Sequence, residues 1–201
     1  MVMMVEPVVK AIESVLEQVS GKNFKKTRIL LAAADGKVYN QQLANELTQE
    51  DHLVILCGHY KGIDERISHW VDDKISVGDY VLSGGEVPAM VIVDSIARLL
   101  PGVVSDFESV RTDSHYEGLL GAPVYTRPRE FRGLEVPEVL LSGHHRKIEE
   151  YRFLESYGRT ERWRADMLER YVLSRDEKKI LKKYAKAEKK EGTHEHNGTD
   201  Q

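Results

Sequence analysis

A single cysteine, Cys57, stands among the 201 residues, so no disulfide can close within the chain, and so scarce a thiol fits a reducing compartment. No stretch approaches the roughly twenty apolar residues that a bilayer span requires, which excludes a membrane-spanning helix of ordinary length. The opening run to Val19 is apolar at helical spacing, but Glu6, Lys10, Glu13 and Glu17 interrupt it and no small-residue cleavage site follows. It is therefore not read as a secretory signal. Charge of one sign is not in excess either: 29 Lys+Arg stand against 33 Asp+Glu, a net charge of -4. That balance argues against coating nucleic acid by bulk charge while leaving room for a local basic surface. The G-x-G-x-x-G fingerprint and the P-loop are absent, which speaks against a dinucleotide enzyme or an NTPase. No internal repeat is visible.

What is present suits a soluble globular chain, 41% hydrophobic and 31% charged. A chain of this size can bury about 70% of its unfolded surface without staples. Val8, Val9, Ile12, Val15, Leu16 and Val19 recur at three and four residues, predicting an amphipathic helix from Pro7 to Val19 that Gly21 ends. Arg28–Ala34 reads as a buried strand closed by an Asp35-Gly36 turn, and Asn40–Gln49 as a helix. Leu53–Cys57 is a second strand, Ile63–Val71 a short helix, and Tyr80–Leu82 a third strand. Val87–Leu100 is apolar nearly all round, so as a helix it must be buried on most faces. Val104–Thr112 reads as an exposed loop and Val136–Gly143 as a further strand. Strands alternating with helices predict an α/β domain with a mostly parallel sheet and helices on both faces. From His144 to Leu173 arginine, glutamate and aromatics dominate, predicting a small helical domain. In the charged tail, 174–201, Lys178–Lys190 can form a solvated helix, and Glu191 onward is expected to be disordered.

Three glycine-containing loops follow the three strand candidates: Ala33–Gly36, Gly58–Gly62 and Ser83–Gly85. Each alone is an ordinary turn, but ligands of open α/β sheets bind beyond strand carboxyl ends, so the coincidence points to a ligand site. Both Ser83-Gly84 and Ser142-Gly143 are expected where a strand hands over to a helix. Asp94 and Arg98 stand four apart, as a helix salt bridge does, and Asp113 alone reads as a cap or turn residue. His144-His145 lacks the spacing and the cysteine partners of structural zinc, so no metal site is predicted. Arg127, Arg129, Arg132, Arg146, Lys147, Arg152, Arg159, Arg162, Arg164 and Arg170 interleave with Tyr125, Phe131, Tyr151, Tyr157 and Trp163. That mixture suits RNA, through phosphate contacts and base stacking, although nearby glutamates nearly cancel the charge, as on a solvated helix pair.

Six segments in order, Leu56–Arg66, Val77–Met90, Ala97–Gly102, Asp113-Ser114, Pro123–Pro128 and Val136–His144, make the chain resemble the bacterial tRNA (guanine-N1)-methyltransferase family. The resemblance runs from Met1 to about Leu173. It implies a deep trefoil knot of the SPOUT class within 1–143, a tRNA-binding helical domain over 144–173, and a cytoplasmic homodimer whose active sites lie at the interface. It implies methylation of N1 of the guanosine just 3′ of the anticodon, hence the tRNA anticodon stem-loop as partner, with no DNA or membrane partner. S-adenosyl-L-methionine is the implied methyl donor, and Mg2+ an implied requirement. The donor loops carry over onto Leu31, Ala32, Ala33 and Ala34, onto Gly58 and Tyr60, and onto Val77, Gly78, Tyr80, Leu82, Gly84 and Gly85. The catalytic carboxylate falls on Asp113, its companion on Arg98, and a nucleotide-orienting hydroxyl on Ser114.

The chain departs from the family pattern at three places. A first strand and a glycine-rich segment would precede Met1, so the chain resembles a member shortened at its start, and an unpaired sheet edge is expected. Lys61 stands where many members carry glutamate. The first donor loop reads Ala32-Ala33-Ala34-Asp35 where Ser-Pro-Gln is common, and losing proline there should loosen it. The rival readings are an inactive RNA- or nucleotide-binding remnant and a knotted ribose 2′-O-methyltransferase, the second disfavoured by the Asp113 segment.

Overall fold

The computed structural model describes residues 1–20, 22, 26–105 and 107–194, so the Gly21 helix stop lies outside the described residues. The chain divides into two compact units, Met1–Val110 and Arg111–Gln201. The composition shift at 143/144 falls inside the second unit.

The first unit is built on a parallel three-stranded sheet of order β2-β1-β3, with β1 over Thr27–Val38, β2 over His52–Cys57 and β3 over Asp73–Ser76. Successive residues of the central strand serve opposite faces, as the pleat demands. Leu30, fully buried, packs with Ala44 and Leu47 of helix α2 (Gln41–Leu47), with Ile75, and with Ile92 and Ile96 of helix α3 (Glu86–Ala97). The next residue, Leu31, packs with Val8 and Ile12 of helix α1 (Val5–Ser20) and with Ile67 of a 3₁₀ helix over Glu65–Trp70. Helices therefore flank the sheet on both faces. Asn40 caps α2, its side-chain oxygen accepting from the Leu43 N–H at 2.9 Å.

Four sequence expectations fail in this unit. Asp35-Gly36 is no turn: β1 runs through it, but Ala32 and Lys37 both face Ile75, so the residues between them leave the ladder as a bulge. Gly36 packs there against the Lys74–Ile75 backbone with no room for a Cβ. The third strand is Asp73–Ser76, not Tyr80–Leu82, which is irregular and exposed. Its polar start hid it, because Asp73 and Lys74 are ion-paired rather than apolar: Arg28 Nη2 lies 2.5 Å from Asp73. Val104–Thr112 contains a short helix, α4 (Phe107–Arg111), and Val110 on it is buried. Nor is α3 buried on most faces: it buries Pro88, Ile92 and Ile96, while Val87, Met90, Val91 and Val93 stay 46–62% exposed.

The second unit carries an antiparallel hairpin, β4 (Glu130–Phe131) and β5 (Leu134–Glu135), then helices α5 (Glu138–Leu141), α6 (His145–Trp163), α7 (Ala165–Leu168) and α8 (Arg175–His194). The strand expected over Val136–Gly143 is α5 instead. Pro137 is its N-cap, and none of its residues is buried. Ser142-Gly143 thus joins helix to helix, and Ser83-Gly84 follows irregular chain rather than a strand. Ser174 and Glu177 cap α8 reciprocally, the Glu177 N–H donating to Ser174 Oγ at 3.2 Å and the Ser174 N–H to Glu177 Oε2 at 2.7 Å. That helix continues past Glu191 to His194, and 195–201 lie outside the described residues.

Candidate functional site

Beyond the carboxyl ends of β2 and β3, against the bulge of β1, lies a cavity of about 480 Å³, in the size range of small-molecule sites. Leu31, Ala32, Ala33 and Ala34 line it from β1 and its bulge. Gly58 and Tyr60 line it from the loop after β2, and Val77, Gly78, Tyr80, Leu82, Gly84 and Gly85 from the loop between β3 and α3. The structure thus brings the twelve residues of the three expected loops onto one wall system, all within the first unit.

Close backbone approach makes that possible. The Gly85 N–H donates to the Gly58 carbonyl at 2.8 Å, and His59 pairs with Gly84 in an isolated antiparallel bridge. A Cβ on Gly85 would lie 2.6 Å from Cys57 Cα and 2.9 Å from Gly58 N, so only glycine fits. His59 Nε2 lies 2.9 Å from Glu86 Oε1, tying the second loop to the start of α3. Tyr60 takes a left-handed backbone, φ 62°, uncommon for a residue with a side chain. The outer edge of this loop is held by Met3, whose N–H donates to the Gly62 carbonyl and whose carbonyl accepts from the Asp64 N–H, both at 3.0 Å.

The polar wall of the cavity is an ion-pair cluster. Lys74 Nζ lies 2.9 Å from both Asp35 Oδ2 and Glu65 Oε1, and all three residues line the cavity. The hydrogen bond from Lys74 holds the Asp35 carboxyl below its usual range against the opposing effect of burial. Lys74 and then Ser68 do the same for Glu65, and the two carboxylates raise Lys74. Burial, with the Glu86 charge, pushes the Cys57 thiol up, so it is a poor thiolate at neutral pH. Around this wall the sequence reading names Cys57, Lys61 and Asp35, and it includes His59 and Glu65 in the segment Leu56–Arg66 without giving them a role. Lys74 and Met3 carry no local signal, because their roles arise from contacts between distant segments.

The remaining expected residues do not line the cavity. Arg98 is the C-cap of α3, its N–H donating to the Asp94 carbonyl at 3.3 Å. Asp113 and Ser114 belong to the second unit, in the turns after α4, where both are exposed and Ser114 Oγ accepts from the Gly121 N–H at 2.9 Å. In the same unit Arg164 forms paired 2.8 Å hydrogen bonds to both oxygens of Asp166, and Arg146 and Arg129 face Glu150 and Glu138. Arg152, Arg159, Arg162 and Arg170 are exposed and have no ion-pair partner among the described residues, and Trp163 is 70% exposed beside them in the chain. Among the described residues no group of three or more His, Cys, Asp or Glu side chains is placed to hold a metal ion, and no helix is long and apolar enough to cross a membrane.

A family model described as "tRNA (Guanine-1)-methyltransferase TrmD" matches residues 1–170. The chain is 51% identical over 183 residues to a protein of Shouchella clausii named "tRNA (guanine-N(1)-)-methyltransferase", covering 91% of this chain and 73% of that protein. It is 48% identical over 189 residues to the protein of that name in Moorella thermoacetica, covering 94% and 74%. With the Listeria monocytogenes protein of that name it shares 46% identity over 186 residues, covering 92% and 75%.

Proposed function

We propose, for a chain that belongs to the tRNA (guanine-1)-methyltransferase family, the reaction its relatives are named for: methyl transfer to N1 of a tRNA guanosine, the one just 3′ of the anticodon. The observation that carries this reading is the convergence of the twelve donor-loop residues on one cavity at the carboxyl ends of a parallel sheet. Gly58, Gly84 and Gly85 let the second and third loops close on one another at that wall, since Cβ atoms there would meet Ile63, then Glu86 and His59, then the Cys57–Gly58 backbone. The apolar Leu31 and Leu82 and the polar Asp35, Lys61 and Lys74 suit a ligand with a nucleoside and a charged tail.

S-adenosylmethionine supplies, when bound, a methyl group activated by its positive sulfonium. Guanine N1 carries a proton at neutral pH and has no free lone pair to attack with. Asp113 takes that proton as N1 bonds to the methyl carbon and the carbon–sulfur bond breaks, leaving S-adenosylhomocysteine. Arg98 offsets negative charge growing on guanine O6, and Ser114 orients the nucleotide. Among the described residues no cluster of His, Cys, Asp or Glu side chains is ready to hold magnesium.

Three features support the finer reading. The exposed apolar row Val87, Met90, Val91 and Val93 on α3 suits a homodimer contact. The mutual stitching of the Gly58 and Gly84-Gly85 loops suits a knotted chain. The unpaired arginines of α6 suit the anticodon stem-loop, and work on tRNA implies a cytoplasmic site of action. The test is methyl transfer to unmodified tRNA, read as N1-methylguanosine by nucleoside mass spectrometry. Asp113→Ala should keep S-adenosylhomocysteine affinity and lower turnover by about a hundredfold or more. Near-normal turnover in that variant would remove Asp113 as the base.

A further inference from the structure

We propose that Lys61 binds the carboxylate of the donor's amino-acid tail, and so sets the preference of this cavity for a ligand carrying that tail. The proposal rests on the donor reading above. The lysines and carboxylates on the cavity wall are Asp35, Lys61, Glu65 and Lys74. Lys74 sits between the two acids, 2.9 Å from each, so three of the four charges are already engaged with one another. His59, also on the wall, faces Glu86 at 2.9 Å. Lys61 alone of these has no side-chain hydrogen bond or ion pair among the described residues.

Its backbone, in contrast, is fixed. The Lys61 N–H donates to the Met1 carbonyl at 3.2 Å, the Gly62 N–H donates back to the His59 carbonyl at 3.2 Å, and Tyr60 and Gly62 flank it at φ 62° and 122°. A tight, anchored turn therefore places Lys61, without a side-chain partner among the described residues, on the cavity wall. The donor has an uncharged adenosine, a cationic sulfonium, an α-ammonium and one anionic group, the α-carboxylate. Only the carboxylate gains from a nearby ammonium, and the acids that would compete for Lys61 are held by Lys74.

The experiment is calorimetric titration of the full chain with two ligands that differ only in the tail. S-adenosylhomocysteine has it, and 5′-methylthioadenosine keeps the nucleoside thioether without it. Lys61→Met should weaken S-adenosylhomocysteine by about fivefold to tenfold and leave 5′-methylthioadenosine unchanged, while Lys61→Arg should stay within about twofold of the original chain. An equal loss for both ligands, or no loss for either, overturns the proposal. So does unchanged S-adenosylhomocysteine affinity with weakened tRNA binding, which would assign the ammonium to an RNA phosphate. If the unsubstituted chain binds neither ligand, the donor reading falls first and this proposal with it.

Discussion

Gly85 and Gly158 show how much a missing side chain can mean at one position and how little at another. At Gly85 the absent Cβ makes room for Cys57 and Gly58, whereas at Gly158, inside α6, nothing lies within 4 Å of it. Gly85→Ala should therefore lower stability by about 1–3 kcal/mol, as overpacking does, and weaken S-adenosylhomocysteine binding by more than about tenfold, because the two loops it joins both line the cavity. Gly158→Ala should raise stability by up to about 1 kcal/mol through helix propensity. Thermal melts and calorimetry on the pair check both signs, and a harmless Gly85→Ala would mean that the loops separate without cost. The importance of Gly85 was legible in the sequence only as one member of three glycine loops. Which backbone it touches was not, since Cys57 and Gly85 meet through folding rather than proximity in the chain.

Among the elements, β3 was the least legible, and the cause is electrostatic. Strands are recognised by apolar runs, and half of this one is Asp73-Lys74. Asp73 accepts from Arg28 Nε at 2.8 Å and from Lys37 Nζ at 3.0 Å, so its charge is matched by cations on the neighbouring strand β1. Burial pushes the Asp73 carboxyl up, and the hydrogen bonds and charges of Lys37 and Arg28 more than reverse this, holding it below its ordinary range. A carboxyl depressed on folding adds stability above its unfolded value, about 3.9, and loses it as pH falls toward the lower folded value. Asp73→Asn should cost about 2 kcal/mol near neutrality. Its stability curve should then converge on that of the unsubstituted chain below about pH 4. Urea unfolding between neutrality and acid reads this directly, and parallel curves would deny the pairing any role. By comparison, β1 and β2 were legible because both are continuous apolar runs. The run Val139-Leu140-Leu141 is equally apolar yet forms helix α5 behind Pro137 rather than a third strand beside β4 and β5.

Across the whole molecule, the two units divide the proposed labour between a donor cavity in Met1–Val110 and an arginine-bearing surface in Arg111–Gln201. The arginines were legible as a set, but which of them are available was not, because pairing with a nearby carboxylate is a matter of rotamer and register. Arg164 is taken by Asp166, while Arg152, Arg159 and Arg162 are open. Replacing those three by glutamate should weaken tRNA binding by about tenfold or more and flatten its salt dependence, with S-adenosylhomocysteine affinity intact. Arg164→Glu alone should weaken it less. Filter binding across a salt series distinguishes the two variants, and equal losses would show that ion pairing does not withhold Arg164 from RNA.

The bulge in β1 makes the interval from Ala32 to Lys37 a ruler. Both ends face Ile75, and the residues between them form part of the cavity wall. Side chains can be exchanged at Ala33, Ala34 and Asp35 without disturbing the ladder on either side, whereas Gly36 has no room for one. The length of the interval cannot change so freely. One residue more or fewer would shift Lys37 and Val38 by a single step against β3, turning their side chains to the wrong faces and pulling Lys37 away from Asp73. Sequence drift in this wall is therefore confined to substitution, whereas insertions and deletions would strike the sheet and the cavity together.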